Sequence, residues 1–288
     1  MIKKIIYLIF LYIVIIAYSC IFILGSFPLT LNKESSNYFK VYIRKMLNYI
    51  YQNGFSKIFY SGNYNKSDKI DIIISNHTNS IDFILNAIII DNFDSRNINY
   101  FVKRDTSYIP AFGFIVSSST DILINRNIED DKDIIIEKIN KMNEGVIIIM
   151  PEGTRYTPEK QKKAIEYSKK NKLPIFKNTL YPKMKGLWLT INILKSKNKL
   201  GNLIDLTASI DNIMGKAAYM PYILGNDIGN TNVVINTYNI PKDNSLEKYD
   251  DFKNFFLNIW KEKDNQLDNM NKKLYKKIPI DINFIYIL

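Results

Sequence analysis

Twenty-three consecutive residues, Ile5–Phe27 (IIYLIFLYIVIIAYSCIFILGSF), carry no charge. As an α-helix rising 1.5 Å per residue, this run is about 34 Å long, enough to cross a hydrocarbon core of about 30 Å with some tilt. The basic start, Lys3 and Lys4, also suits a cleaved signal peptide. The run is longer than an ordinary signal h-region, however, and ends in GSFPLT without a clear small-x-small cleavage site, so a retained membrane helix is the expectation. Cys20, the only cysteine, falls inside it, which excludes an intramolecular disulfide. Two lysines precede the run, whereas Lys33, Lys40, Arg44 and Lys45 follow it. The positive-inside rule then puts the long C-terminal part on the cytosolic face.

After an anchor over residues 1–30, the chain divides into an amphipathic connecting region over 31–69, a folded domain over 70–276 and a short hydrophobic tail over 277–288. The tail, Ile278–Leu288, contains Asp281 and is too short to span a bilayer; strand, surface anchor and disorder all remain open for it. The domain reads as α/β. Ile70–Ser75 (IDIIIS) and Gly145–Met150 (GVIIIM) are short apolar runs that suit buried strands of a largely parallel sheet flanked by helices. Helices are expected over Ile81–Ile90, Glu129–Met142, Glu159–Lys172 and Tyr249–Met270, and strands over Leu173–Phe176 and Thr231–Tyr238. Asn202–Asn230 reads as irregular.

Composition narrows the function. Lys plus Arg is 39 against 28 Asp plus Glu, a net charge of +11, and 47% of residues are hydrophobic, which excludes a disordered chain. One histidine and one cysteine argue against a His/Cys zinc site, and no metal is expected. The charge alone would suit nucleic acid, but the membrane run argues against that partner. No nucleotide-type glycine-rich loop and no GxSxG elbow is present. Nothing in the sequence signals an oligomeric state.

Three clusters can carry chemistry. His77 lies in SNHTNSID with Asp82 five residues on, between an expected strand and helix. Imidazole titrates near neutrality, and a carboxylate on one ring nitrogen would fix its tautomer and leave the other as a base. Five residues is not a same-face helical spacing, so the pair requires His77 in the loop and Asp82 in the first helical turn. The second cluster, Pro151-Glu152-Gly153-Thr154-Arg155, follows the GVIIIM strand. Its glycine lets backbone approach a ligand, and Arg155 can hold a phosphate in bidentate fashion. The third is Lys103 and Arg104, then Pro110 and Gly113, then Arg126. Each also has a plain structural reading: a core histidine, a charged turn, ordinary surface charge.

In order, NHTNSID, KRDTSYIPAFG, ILINR, MPEGTR and LYPKMKG resemble the PlsC-like glycerolipid acyltransferase family. Its NHxxxxD motif is matched by Asn76, His77 and Asp82, its second motif by Lys103, Pro110, Gly113 and Arg126, and its Pro-Glu-Gly-Thr motif by Pro151–Thr154, with Met150 in place of the usual phenylalanine. Pro182 is the match for the fourth motif. Within the family, LYPKMKG, NTYNIP and WKEKDNQLDNM look like the lysocardiolipin and eukaryotic 1-acylglycerol-3-phosphate acyltransferase branch. Thr120 and Asp121 depart from that branch's glycine before the second-motif arginine.

The resemblance implies a glycerolipid acyltransferase fold and acyl transfer from acyl-CoA, a co-substrate with no bound cofactor, to the sn-2 hydroxyl of a lysophospholipid, most readily lysophosphatidate. It implies His77 as base with Asp82 orienting it, Lys103, Arg126 and Arg155 on phosphate, and Asn76, Pro110, Gly113, Glu152, Gly153, Thr154 and Pro182 shaping the substrate site. It also implies a membrane protein, by family default in the endoplasmic reticulum. A lysocardiolipin or other lysophospholipid acceptor, a CoA-independent transacylase and a non-catalytic lipid-binding protein are the alternatives.

Overall fold

The computed structural model describes residues 58–79, 82–108, 121–210, 230–241, 243–271 and 278–279. The uncharged run Ile5–Phe27 lies outside these, as do Pro110 and Gly113. Among the described residues no helix is long and apolar enough to cross a membrane.

The elements in chain order are β1 (Ile58–Gly62), β2 (Ile70–Ser75), α1 (Asp82–Asp91), β3 (Ile98–Lys103), β4 (Ile122–Ile124), α2 (Ile128–Asn140), β5 (Gly145–Ile149), α3 (Pro158–Lys170), α4 (Lys185–Ser196), β6 (Leu200–Ile210), β7 (Thr231–Tyr238), α5 (Tyr249–Asn271) and β8 (Ile278–Pro279). The strands form one sheet in the order β4-β3-β5-β2-β6-β7-β1-β8. It is parallel throughout except at β6–β7 and β1–β8. The architecture is therefore α/β with a mostly parallel sheet, as expected. β1 stands within the stretch read as a connecting region, and β8 within the hydrophobic tail; both are strands of the sheet.

β2 and β5 sit at the centre and are buried along their whole length. Helices cover both faces, so β-branched residues are favoured at every position rather than at alternate ones. Alternation still decides which layer each side chain joins. Ile72, Ile74, Ile147 and Ile149 pack with Ile135 of α2, Leu187 of α4 and Trp260 of α5. Ile73, Val146 and Ile148 pack on the other face with Leu85 and Ile88 of α1. Helix starts are encoded locally. Asn127 caps α2 by accepting from the Glu129 N–H, and Thr157 caps α3, with Pro158 in its first turn.

Two expectations need correcting. Leu173–Phe176 is not a strand. Pro174 has no N–H to give a ladder, and the coil that follows, Lys177–Leu180, is instead held by side chains of α5. Asp264 accepts from the amides of Lys177, Asn178 and Thr179, and Trp260 Nε1 donates to the Leu180 carbonyl. The start of the supposedly irregular Asn202–Asn230 is the long strand β6; residues 211–229 lie outside the described ones. Asp205 and Thr207 interrupt its apolar pattern, but both are buried beneath α5, where Lys263 answers them. Its ammonium lies 2.5 Å from Asp205, 2.9 Å from the Leu206 carbonyl and 3.1 Å from Thr207 Oγ1.

Candidate active site

Because β2, β3, β4 and β5 run parallel, their C-terminal ends share one edge, where sites form in open α/β sheets. His77 follows β2, Glu152 follows β5, Lys103 ends β3 and Arg126 follows β4. Neighbouring strands lie about 4.8 Å apart, so Lys103 springs from a strand about 10 Å from the one that leads to His77.

Asn76 begins the site by extending the β2–β6 ladder with its side chain. Its Nδ2 donates to the Ala208 carbonyl at 2.8 Å, and its Oδ1 accepts the Ala208 N–H at 2.9 Å. The chain then turns at His77. Its Nδ1 lies 2.9 Å from Asp82 Oδ2, with Asp82 in the first turn of α1, as the five-residue spacing requires. The same oxygen accepts the amides of Thr78 at 2.6 Å and Asn79 at 2.9 Å. Asp82 thus fixes both the loop and the ring. The imidazole is 23% exposed, and its Nε2 has no partner among the described residues.

Glu152 is 2% exposed and faces backbone on both sides. Oε1 accepts the His77 N–H at 2.8 Å and Oε2 the Leu180 N–H at 3.0 Å. Burial pushes its carboxyl up to about 8, against the pull of these two amides. Gly153 follows with φ +64°, in the left-handed region. The Tyr156 amide donates to the His77 carbonyl at 2.7 Å, closing the turn on the histidine loop.

A cavity of about 960 Å³ opens beside this turn, bounded by the ends of β3 and β4, the starts of α2, α3 and α5, and the segment around Pro182. Lys103, Arg126, Glu152, Gly153, Thr154 and Pro182 line it. His77, Asp82 and Arg155 do not; His77 meets the cavity only through Glu152. Arg155 is exposed, and its carbonyl accepts from Lys160 Nζ. Lys103 pairs with Asp105. Arg126 adopts φ +67°, a strained conformation for a side chain of its size, between the end of β4 and the cap of α2. Asp121, which departs from the branch pattern, is buried and accepts the Tyr100 amide at 2.8 Å, tying the start of β4 to β3.

Sequence reasoning missed five cavity lysines, Lys160, Lys163, Lys183, Lys185 and Lys253, and the buried Lys263. Lysine is so common here that none stood out. Only Lys183 and Lys185 had a local signal, their place around the LYPKMKG turn. Among the described residues no group of His, Cys, Asp or Glu could hold a metal ion.

The Acyltransferase family model matches residues 57–187. The chain is 25% identical over 130 residues to 1-acyl-sn-glycerol-3-phosphate acyltransferase 2 of Brassica napus, covering 43% of this chain and 33% of that one. It is 26% identical over 144 residues to lysocardiolipin acyltransferase 1 of Gallus gallus, covering 48% and 38%. The matches thus span little more than a third of these relatives' length. In fold it is similar to the 1-acyl-sn-glycerophosphate acyltransferase PlsC of Thermotoga maritima, with TM-score 0.56 and 15% identity, over 93% of this chain and 95% of that one.

Proposed function

The chain belongs to the PlsC-like glycerolipid acyltransferase family, and from that premise we propose that it transfers an acyl group from acyl-CoA to the sn-2 hydroxyl of 1-acyl-sn-glycerol 3-phosphate, giving phosphatidate. The observation that carries this reading is the His77–Asp82 pair: one ring nitrogen held at 2.9 Å, the other open at the sheet's C-terminal edge. His77 Nε2 takes the proton of the acceptor hydroxyl as its oxygen attacks the thioester carbonyl. Asp82 stabilises the resulting imidazolium. The tetrahedral intermediate collapses with rupture of the C–S bond, and the imidazolium returns its proton to the CoA thiolate. No acyl-enzyme is formed in this scheme. Glu152 acts by holding the His77 backbone, while Lys103 and Arg126, which line the cavity, hold substrate phosphate; the exposed Arg155 would join them only from outside that lining. The Ile5–Phe27 run would keep the domain at a membrane where the lipid acceptor resides, the catalytic face toward cytosolic acyl-CoA.

The test is a labelled acyl-CoA transfer assay on membranes carrying the protein, against a panel of lysophospholipids, with His77→Ala alongside. Transfer to lysophosphatidate that falls by at least about 10²-fold in the variant supports the reading. Transfer to monolysocardiolipin instead would favour the second acceptor, suggested by the lysocardiolipin acyltransferase relative. Transfer only from a diacyl phospholipid donor would mark a transacylase. Equal rates in wild type and variant would remove the mechanism.

A further inference from the structure

The cavity beside the Glu152–Thr154 turn is lined by seven cationic side chains and two acidic ones. The two carboxylates are buried and serve backbone amides: Glu152 those of His77 and Leu180, Asp131 that of Asn125 at 2.6 Å. They leave most of the positive charge unanswered. Two of the cations are already engaged, Lys103 with Asp105 and Lys160 with Thr154 Oγ1 at 2.6 Å.

Lys183 is held differently. Its N–H donates to the Pro151 carbonyl at 2.7 Å, and its neighbours Pro182 and Met184 are buried, so its backbone is fixed to the end of β5. Its side chain lies across the open face of Gly153. A Cβ built on that glycine would stand 3.3 Å from Lys183 Cδ and 3.7 Å from Nζ. Among the described residues the ammonium has no hydrogen bond or ion pair, and the N–H of Thr154, the next residue of the turn, has no backbone partner. A fixed lysine over a glycine turn with an open amide is an arrangement suited to phosphate oxygens. Arg155, the cation that the motif itself supplies, has no place in the cavity lining.

We propose that Lys183 holds a substrate phosphate against the Gly153–Thr154 backbone. The acyl-transfer reading above is used only to say whose phosphate this is: the monoester of the lipid acceptor or the nucleotide end of the thioester donor. The experiment is calorimetric binding of two phosphate probes, sn-glycerol 3-phosphate and adenosine 3′,5′-bisphosphate, to the full chain in detergent. It compares wild type, Lys183→Gln, Lys183→Arg and the control Lys162→Gln, an exposed lysine of α3 outside the cavity lining. The expected result is a Kd raised at least about tenfold by Lys183→Gln for one probe, held within about threefold by Lys183→Arg and unmoved by Lys162→Gln. The probe that weakens identifies acceptor or donor. Equal Kd values in wild type and Lys183→Gln overturn the proposal, as does wild type binding neither probe. Binding that behaves as expected, in a protein that transfers no acyl group, would retain the phosphate site and remove the acyl-transfer reading.

Discussion

Glu152 Oε1 accepts the backbone N–H of His77 at 2.8 Å, so the acidic residue of the Pro-Glu-Gly-Thr motif ties the histidine's main chain to the cavity that it lines. Its other oxygen is equally occupied by Leu180. Glu152→Gln leaves one of the two amides opposite an NH₂ group, and a loss of about 1–3 kcal/mol is expected. The pH dependence is more specific. Burial raises the carboxyl from 4.5 to about 8. A carboxyl raised on folding contributes most below its unfolded value, and that contribution falls as pH climbs through the folded one. Wild type should therefore lose stability relative to Glu152→Gln between about pH 5 and pH 8, as read by urea unfolding at several pH values. A difference that is constant, or that grows with pH, contradicts the raised value.

Asp82 Oδ2 takes three donors, the ring of His77 and the amides of Thr78 and Asn79. Asp82→Asn keeps an oxygen for the amides but removes the charge that the proposed imidazolium needs. The expected outcome is a kcat lowered by about 10²-fold or more, with only about 1–2 kcal/mol of stability lost. Asp82→Ala orphans both buried amides and should lose clearly more stability. Paired kinetics and denaturation separate the two effects; an Asn variant with wild-type kcat would exclude Asp82 from the chemistry.

The elements most legible in the sequence are those whose burial is mainly apolar or whose caps are local. β2 and β5 are isoleucine-rich runs, and α2, α3, α5 and β7 lie within two residues of the expected bounds at each end. The His77–Asp82 pair was legible through the NHxxxxD resemblance, and the strand-loop-helix reading supplied an arrangement in which residues five apart can meet. β6 was not, since Asp205 and Thr207 break its apolar run and leave the stretch irregular in pattern until Lys263, 58 residues on from Asp205, is placed over them. Nor was the coil after α3, whose order comes from Asp264 and Trp260 on a distant helix. The role of Glu152 was hidden for the same reason, as its second partner, Leu180, is fixed only by tertiary packing.

Asp205 and Lys263 are both fully buried, and each is shifted toward its neutral form by burial, Asp205 upward and Lys263 downward. Removing one partner leaves an uncompensated charge in the core. Lys263→Met should lose about 3–5 kcal/mol. Adding Asp205→Val removes the orphaned carboxylate and should recover at least half of that loss. A double-mutant cycle by urea denaturation checks it: additive losses would mean that the pair is uncoupled.

Gly153 has two separate reasons to be glycine, and one substitution exposes both. At φ +64° a side chain is strained by about 1–2 kcal/mol. A new Cβ would also press on Lys183 Cδ at 3.3 Å, tighter than most real contacts, but the lysine stem can swing aside. Gly153→Ala should therefore fold with a modestly lowered Tm and with the Lys183 ammonium displaced from the turn. Because the His77–Asp82 pair does not touch Gly153, the change should appear mainly in KM for the phosphorylated substrate, with kcat falling less. Steady-state kinetics beside thermal unfolding decides this. A kcat loss with KM unchanged would mean that the turn positions His77 through Glu152 rather than seating the phosphate.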